Sequence, residues 1–407
     1  MKALLVAVEY YAMGYDLDVS IEELKMLAEA CHIEVAGVII QRLKEKTSQY
    51  YIGKGKVEEI SKMLEGIDLI IFNEELSPMQ VKNLSDAFLI EVSDRSDLIL
   101  RIFETRAKTQ EAKLQVKIAR NQYMLPRLAG MREEIYSQQG GSGFRGSGEK
   151  QIELDRRLIH RQIIQYKKEL EQLVNSRKTQ RNKRKKHEMK VVSLVGYTNS
   201  GKSSLLNYFS NKKVLEKDML FATLETSTRQ IILNNNQKIL MSDTVGFIDQ
   251  LPHHLIKAFR STLEEVKEAD LLLHVVDSSS KNLQKHIKTT KEVLKELGVE
   301  NTPVLYVYNK IDKIQDTIFV PEEPYVFVSA KEEYNLDELQ DKIISFLFKD
   351  YELLELYIPY SQGEDYQYLK QNYTFIKEEF LEDDIYILVK LSSSDYHYFY
   401  KYNKSYS

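Results

Sequence analysis

The sequence predicts an α/β protein of several domains, and three observations predict it. Short β-rich runs alternate with amphipathic helical stretches over residues 1–100, and the same alternation returns over 190–349. Between these blocks the apolar residues switch to a helical period. The chain is 407 residues long and 43% hydrophobic, enough for about two to four domains with cores of their own.

The elements follow in order. "ALLVAV" and "EVAGVII" read as strands, and "SIEELKMLAEAC" between them as a helix opened by a capping-box pair, Ser20 and Glu23. "IDLIIF" reads as a buried strand and "SPMQVKNLSDAF" as a helix with Ser77 as N-cap and Pro78 in its first position. "LIEVSDR" closes an N-terminal α/β domain, residues 1–100, whose sheet should be parallel. Residues 101–189 should form a helical hairpin. Its first arm runs from about 97 to 130, and its tip is the glycine-rich loop "QQGGSGFRGSGEKQ", 138–151. The second arm carries Ile152, Ile159, Ile163, Tyr166, Leu170 and Leu173, an a/d seam of coiled-coil type. "RKTQRNKRKKHEMK", 177–190, follows with eight basic residues in fourteen and reads as a solvated linker.

Residues 190–349 form the second α/β block. "VVSLVG", "KILMSD", "LLLHVVD", "PVLYVYN" and "YVFVS" read as five strands, each ending in polar residues. In such sheets ligands bind outside the carboxyl ends of the strands. The tail, 350–407, holds 11 Asp and Glu against 5 Lys, and 12 of the chain's 26 tyrosines. With "IYILVKL" as a strand it reads as a small α+β domain whose tyrosines are half-buried structure or a protein contact.

Charge and cysteine usage narrow the class. The net charge is −4, yet residues 101–190 carry 23 Lys and Arg against 10 Asp and Glu. A local excess of +13 in an otherwise acidic chain is the footprint of a polyanion-binding surface. Cys31 is the single cysteine, so no internal disulfide forms and a reducing compartment is expected. The apolar start "MKALLVAVEYY" is too short for a signal segment, and no run approaches the ~18 apolar residues of a membrane span. A cytoplasmic protein without a membrane partner is expected.

The chemistry sits at strand ends. "GYTNSGKS" (Gly196, Tyr197, Thr198, Asn199, Ser200, Gly201, Lys202, Ser203) matches the phosphate loop G-x-x-x-x-G-K-[ST] between a strand and a helix. Its backbone N–H groups would wrap phosphates, Lys202 would reach the outer phosphates and act catalytically, and the Ser203 hydroxyl would ligate Mg²⁺. "DTVG" (Asp243, Thr244, Val245, Gly246) should hold the metal through water at Asp243 and offer the Gly246 N–H to the γ-phosphate. "NKID" (Asn309, Lys310, Ile311, Asp312) gives Asp312 as acceptor for guanine N1–H and the 2-amino group. Adenine would leave that carboxylate unpaired. "SAK" (Ser329, Ala330, Lys331) should supply a backbone N–H to guanine O6. Together these specify a P-loop domain that binds GTP.

A switch loop, "DMLFATLETSTRQ", lies between. Thr223, Thr226 and Thr228 are candidates for the hydroxyl that completes the magnesium shell, and chemistry alone does not choose among them. Asn199 has two readings. It binds a K⁺ that neutralises transition-state charge, or it stabilises the loop backbone. Phe247 stands where many GTPases carry the Gln that aligns the attacking water.

At this point the chain resembles the HflX family of translational GTPases, over about residues 1–360. The marks are "YIGKGKVEEI", "EELSPMQVKNL", "DRSDLILRIFETRAKTQEAKLQVKIARNQYMLPRL", "GGSGFRGSGEKQIELDRR" and "GYTNSGKSSLLN". The resemblance implies a GTP/GDP switch that binds the large ribosomal subunit and splits stalled or idle ribosomes, often under stress; a monomer is expected. It implies that the glycine-rich loop (Gly140, Gly141, Gly143, Arg145, Gly146, Gly148, Lys150) approaches ribosomal RNA. The family's usual switch reads FATLDPTTR, with the Thr of FATL on magnesium. That maps the switch contacts to Phe221, Ala222, Thr223, Leu224 and Glu225, and the ligand to Thr223. Here Glu225, Thr226 and Ser227 replace the family's Asp, Pro and Thr, so the loop is less pre-ordered. The family also has a hydrophobic residue at the position of Phe247, which implies that water alignment comes from the ribosome, with or without K⁺. The alternatives are an RNA-remodelling, helicase-like nucleotide hydrolase, in which "GKGK" (53–56) is the weak nucleotide motif, and a GTPase partnering a tRNA-modifying enzyme. The latter kind commonly carries a functional Cys near the C-terminus, which this chain lacks.

Overall fold

The structure is a computed structural model that describes residues 1–10, 16–128, 145–184, 189–210, 220–221, 227–234, 237–248, 266–299, 301–314 and 319–403, with the backbone alone at 145–152 and 175–184. It divides into two compact units. The first is Met1–Asn175 with Met219–Glu225 and Gln250–Arg260; the second is Ser176–Asp218 with Thr226–Asp249 and Ser261–Ser407.

In the first unit, strands β1 (Lys2–Tyr10), β2 (Glu34–Leu43), β3 (Leu69–Phe72) and β4 (Glu91–Asp94) pair in the order β2-β1-β3-β4. Every pairing is parallel, as the alternating pattern requires. Helices α1 (Leu17–Ala30), α2 (Lys54–Ser61) and α3 (Pro78–Phe88) connect them. The Ser77 hydroxyl accepts from the Gln80 N–H, the Gln80 side chain accepts from the Ser77 N–H, and Pro78 opens α3, as expected. The expected start of α1 is corrected. Asp16, not Ser20, caps it, its carboxylate accepting from the N–H groups of Asp18 and Val19. Ser20 is buried instead and donates to Asn73, while Glu23 pairs with Arg95. An ionised acceptor one turn upstream outcompetes a hydroxyl that the core has use for.

The first hairpin arm is two helices, not one. Helix α4 (Arg95–Arg106) is capped by Asp94 and α5 (Gln110–Met124) by Thr109, with a break between. Helix α6 (Arg145–Arg184) is the second arm, and it corrects two expectations. It starts inside the expected glycine loop, taking in Arg145, Gly146, Gly148 and Lys150, and it runs through most of the expected linker. Two glycines cost little in a first turn, whose N–H groups have no intrahelical partner, and Lys, Arg and Gln are good helix formers. Lys117 lies over the Tyr166 ring and Asn121 bonds Gln162, so α5 and α6 run antiparallel. Along the expected seam Ile163 is buried and Ile159, Tyr166, Leu170 and Leu173 are half-buried, whereas Leu154, Leu158 and Ile164 face outward. Gly140, Gly141 and Gly143 lie outside the described residues.

The second unit carries a six-stranded sheet of β5 (Lys190–Val195), β6 (Ser227–Ile232), β7 (Lys238–Asp243), β8 (Leu271–Asp277), β9 (Val304–Asn309) and β10 (Tyr325–Phe327) in the order β10-β9-β8-β5-β7-β6. Five strands are the expected ones and all pair in parallel. The sixth, β6, was hidden in the switch segment and adds antiparallel to β7. Helices α7 (Lys202–Phe209), α8 (Leu283–Glu296) and α9 (Leu336–Leu347) belong to this block. The tail is α+β as expected. Strands β11 (Glu352–Pro359), β12 (Phe375–Phe380) and β13 (Asp384–Leu391) pair antiparallel in the order β11-β13-β12, with helices α10 (Gly363–Asn372) and α11 (Ser393–Phe399). Tyr373 and Phe399 are buried in its core, and Tyr366, Tyr396 and Tyr402 pack half-buried against it. No helix among the described residues is long and apolar enough to cross a membrane.

Candidate nucleotide site

The phosphate loop leaves the end of β5 and folds back because two glycines stand where no side chain fits. Gly196 has φ +147°, and a Cβ there would sit 2.2 Å from the Val275 carbonyl oxygen. Gly201 has φ +94°, and its Cβ would fall 2.0 Å from Asn309 Nδ2. Asn199 also takes a left-handed φ of +60°, which Asn tolerates better than most residues. Lys202 begins α7, and its ammonium donates to the carbonyls of Tyr197 (2.7 Å) and Gly196 (3.2 Å). Burial pulls its pKa down to about 8, against the attraction of Asp243. The buried hydroxyls of Thr198 and Ser200 have no hydrogen-bond partner among the described residues, as expected of groups lining a ligand cradle.

Strand β7 brings Asp243 beside the loop. Ser203 Oγ donates to Asp243 Oδ2 at 2.7 Å, and Thr244 Oγ1 donates to the Leu194 carbonyl at 2.7 Å. A hydroxyl and a carboxylate in contact at a phosphate loop form the hard oxygen set that suits Mg²⁺. Among the described residues no cluster of three or more His, Cys, Asp or Glu could hold a metal, so an ion at Ser203 and Asp243 would draw most of its ligands from the nucleotide and water. Gly246 lies so close that a Cβ would meet Thr198 Cα at 2.8 Å and Lys202 Nζ at 3.0 Å.

Phe247 is tied by its backbone and buried by its ring. Its N–H donates to the Gly196 carbonyl (3.1 Å) and its carbonyl accepts from the Thr198 N–H (2.6 Å). The ring is 2% exposed and packs with Val195, Val266, Leu272 and Leu294. It is a core residue.

The residues expected to recognise the base stand at the ends of β9 and β10. Asn309 bridges two loops: its Nδ2 donates to the Ser200 carbonyl (2.9 Å) and its Oδ1 accepts from the Ala330 N–H (2.9 Å). Asp312 Oδ1 accepts from Ser329 Oγ at 2.5 Å, and the Ile311 N–H donates to the Val328 carbonyl. Lys331 is exposed and pairs with Glu332. Lys310, at φ +62°, donates to the Asn199 carbonyl at 2.6 Å. The structure thus gathers all three described motif groups around one loop.

Sequence reasoning missed Asp277, which ends β8 and pairs with Lys310, and His286, whose ring stacks on Tyr197 with centroids 3.8 Å apart. No motif marks either; Asp277 was visible only as the polar end of a strand. Ala222, Thr223, Leu224, Glu225 and Thr226 lie outside the described residues. Phe221 is described within the first unit, its ring edge-on to Phe103 at 4.8 Å and its carbonyl accepting from Arg106. Thr228 lies in β6 opposite Ser242. At "GKGK" the Gly53 N–H at the start of α2 donates to the Gln41 carboxamide at 2.9 Å, so the chain's own side chain takes one of the donors a phosphate would need.

Three family models match the chain: GTP-binding GTPase N-terminal over residues 18–104, GTP-binding GTPase Middle Region over 106–184, and 50S ribosome-binding GTPase over 191–310. GTPase HflX of Caldanaerobacter subterraneus is 43% identical over 370 residues, covering 90% of this chain and 86% of that protein. GTPase HflX of Escherichia coli is 39% identical over 317 residues, covering 77% and 74%. A GTP-binding protein of Sulfolobus solfataricus, solved in complex with GDP, is 27% identical with a TM-score of 0.46, covering 85% of this chain and 98% of that one. With relatives this similar along most of its length, the chain belongs to the HflX family of GTPases and is an enzyme that hydrolyses GTP.

Proposed function

We propose that this GTPase binds the large ribosomal subunit through ribosomal RNA, as a cytoplasmic monomer, and dissociates stalled or idle ribosomes under stress. The observation that carries the reading is Phe247. A GTPase whose water-aligning position is filled by a buried ring, with its backbone bonded to the phosphate loop, turns over slowly until an outside surface completes the site. The basic block at 101–190 supplies phosphate-directed, salt-dependent affinity. The description of the matching family model as a 50S ribosome-binding GTPase supports the choice of partner.

Within the site, Lys202 turns from the loop carbonyls to the β- and γ-phosphates. Ser203, Thr223 and, through water, Asp243 would hold Mg²⁺, which would spread the charge that builds on the phosphate oxygens. The Gly246 N–H reaches the γ-phosphate once the bonds from Phe247 to Gly196 and Thr198 open. Asp312 accepts from the guanine edge, and Ser329 fixes the orientation of its carboxylate. The Asn199 carboxamide makes no hydrogen bond among the described residues and fits a K⁺ beside the phosphates. Gly140, Gly141, Gly143, Arg145, Gly146, Gly148 and Lys150 make the RNA contact.

The test is GTP turnover alone and with large ribosomal subunits, in K⁺ and in Na⁺. Slow turnover that the subunit stimulates strongly is the expected result. A subunit that changes nothing refutes the ribosomal reading, and rapid turnover in K⁺ alone moves the missing catalysis to Asn199.

A further inference from the structure

Asp277 ends β8 and belongs to none of the motifs, yet its carboxylate is fixed from both sides. Oδ1 accepts from the Ser279 N–H (2.9 Å) and from Ser279 Oγ (2.6 Å). Oδ2 pairs with Lys310 Nζ at 2.8 Å. The same ammonium donates to the Asn199 carbonyl at 2.6 Å. The two side chains are only 17% and 21% exposed for Lys310 and Asp277, so solvent screens this pair far less than a surface ion pair. A chain of contacts therefore runs from Ser279 through Asp277 and Lys310 to the left-handed residue of the phosphate loop.

We infer that Asp277 is a positioning residue for nucleotide binding: it holds the Lys310 side chain across the base site and, through it, the phosphate loop at Asn199. This rests on the reading of Asn309–Asp312 as the guanine site. Lys310 carries a flexible four-carbon stem, and its ammonium has three donors with no preferred direction. Left to itself it would sample many rotamers and swing toward water. The carboxylate clamped by Ser279 leaves it one place to be. With the ammonium held by the Asp277 carboxylate and the Asn199 carbonyl, the stem would be fixed as one wall for the base that Asp312 is read to bind. Nucleotide then binds a preformed wall rather than ordering one, and the ordering cost moves from binding to folding. The contact involves the base side and the loop backbone, so GDP and GTP should feel it equally.

The experiment measures release of fluorescent GDP and GTP from the full chain. Asp277→Asn keeps the shape and loses the charge, and it should speed release of both nucleotides by the same factor, about tenfold, the size of one charge-assisted hydrogen bond. In a Lys310→Met background the Asp277→Asn change should add nothing, since its action runs through that ammonium. Ser279→Ala, which loosens the clamp without touching the charge, should give a smaller increase and carries the test should Asp277→Asn fold poorly. Release unchanged by both variants overturns the proposal, as does a full additive effect on top of Lys310→Met. Asp312→Asn separates the two readings. Its amide matches the donor and acceptor of a xanthine edge, so preference should move from GDP to xanthosine diphosphate. If it does not, the guanine-site reading fails and takes the role of Asp277 with it.

Discussion

Arg127 in the first unit and Lys202 in the second are both buried cations, each 5% exposed, and they are buried for opposite reasons. Arg127 has partners at both terminal nitrogens and a buried counter-charge. Its guanidinium donates to the carbonyls of Leu76 (2.7 Å) and Tyr123 (2.9 Å), lies 3.6 Å from the centre of the Tyr123 ring, and pairs with the fully buried Asp94 at 3.2 Å. Around it Asp97 takes Arg101 and Arg120, and Arg95 takes Glu23. Lys202 has only loop carbonyls and no ion pair among the described residues. A buried charge matched by a buried counter-charge locks helices onto a sheet. A buried charge held in contact only by carbonyl dipoles, with its nearest carboxylate acting at a distance, awaits an anion from outside.

That contrast can be broken most sharply at Lys202. Lys202→Met should lower nucleotide affinity by at least a hundredfold, roughly the loss of more than one charged contact. It should leave thermal stability unchanged or raised, since an apolar side chain replaces a desolvated ammonium. Nucleotide titration and a melting curve on the same sample check both halves. The converse variant, Arg127→Met, should leave nucleotide affinity alone and destabilise the first unit by roughly 3–5 kcal/mol, because it strands Asp94 without its partner. Denaturant unfolding reads that loss.

Two smaller effects sharpen the comparison. Lys202 should have a pKa of about 8 without nucleotide, and phosphates raise it. Below pH 8 the ammonium is already charged, so affinity is flat. Above pH 8 binding takes up a proton, and affinity should fall by up to about tenfold per pH unit. Calorimetry of GDP binding in buffers of different ionisation heat at pH 9 checks the proton uptake. The smallest effect is the cap: Ser77→Ala should cost about 1 kcal/mol of first-unit stability and leave every nucleotide measurement unchanged.

His274 follows the same logic in the second unit. It lies on the central strand β8, 1% exposed, and its Nδ1 has no hydrogen-bond partner among the described residues. Burial, with Lys291 and Lys202 nearby, pushes its pKa down to about 3. A base depressed in the folded state contributes stability that is complete above its unfolded pKa of about 6.5 and is lost as pH falls toward 3. The unit should therefore lose a few kcal/mol, roughly, across that window. His274→Leu should flatten the acid limb of its melting profile.

The sequence by itself determined the elements whose signals are local. Alternating apolar runs fixed the parallel strands, Ser77 and Pro78 fixed the start of α3, and the motif spacing placed Gly196–Ser203, Asp243–Gly246, Asn309–Asp312 and Ser329–Lys331 at strand ends. These signals work because backbone geometry and phosphate chemistry act over a few residues. Only the tertiary structure decided the rest. It made Asp16 the cap of α1 because Ser20 was needed by Asn73, and it drew β6 out of the switch segment because β7 offered an open edge. It turned the ring of Phe247 into the core and set Asp277 against Lys310 across 33 residues of chain. Those outcomes depend on which partners the fold brings within reach, and a linear sequence does not contain that distance.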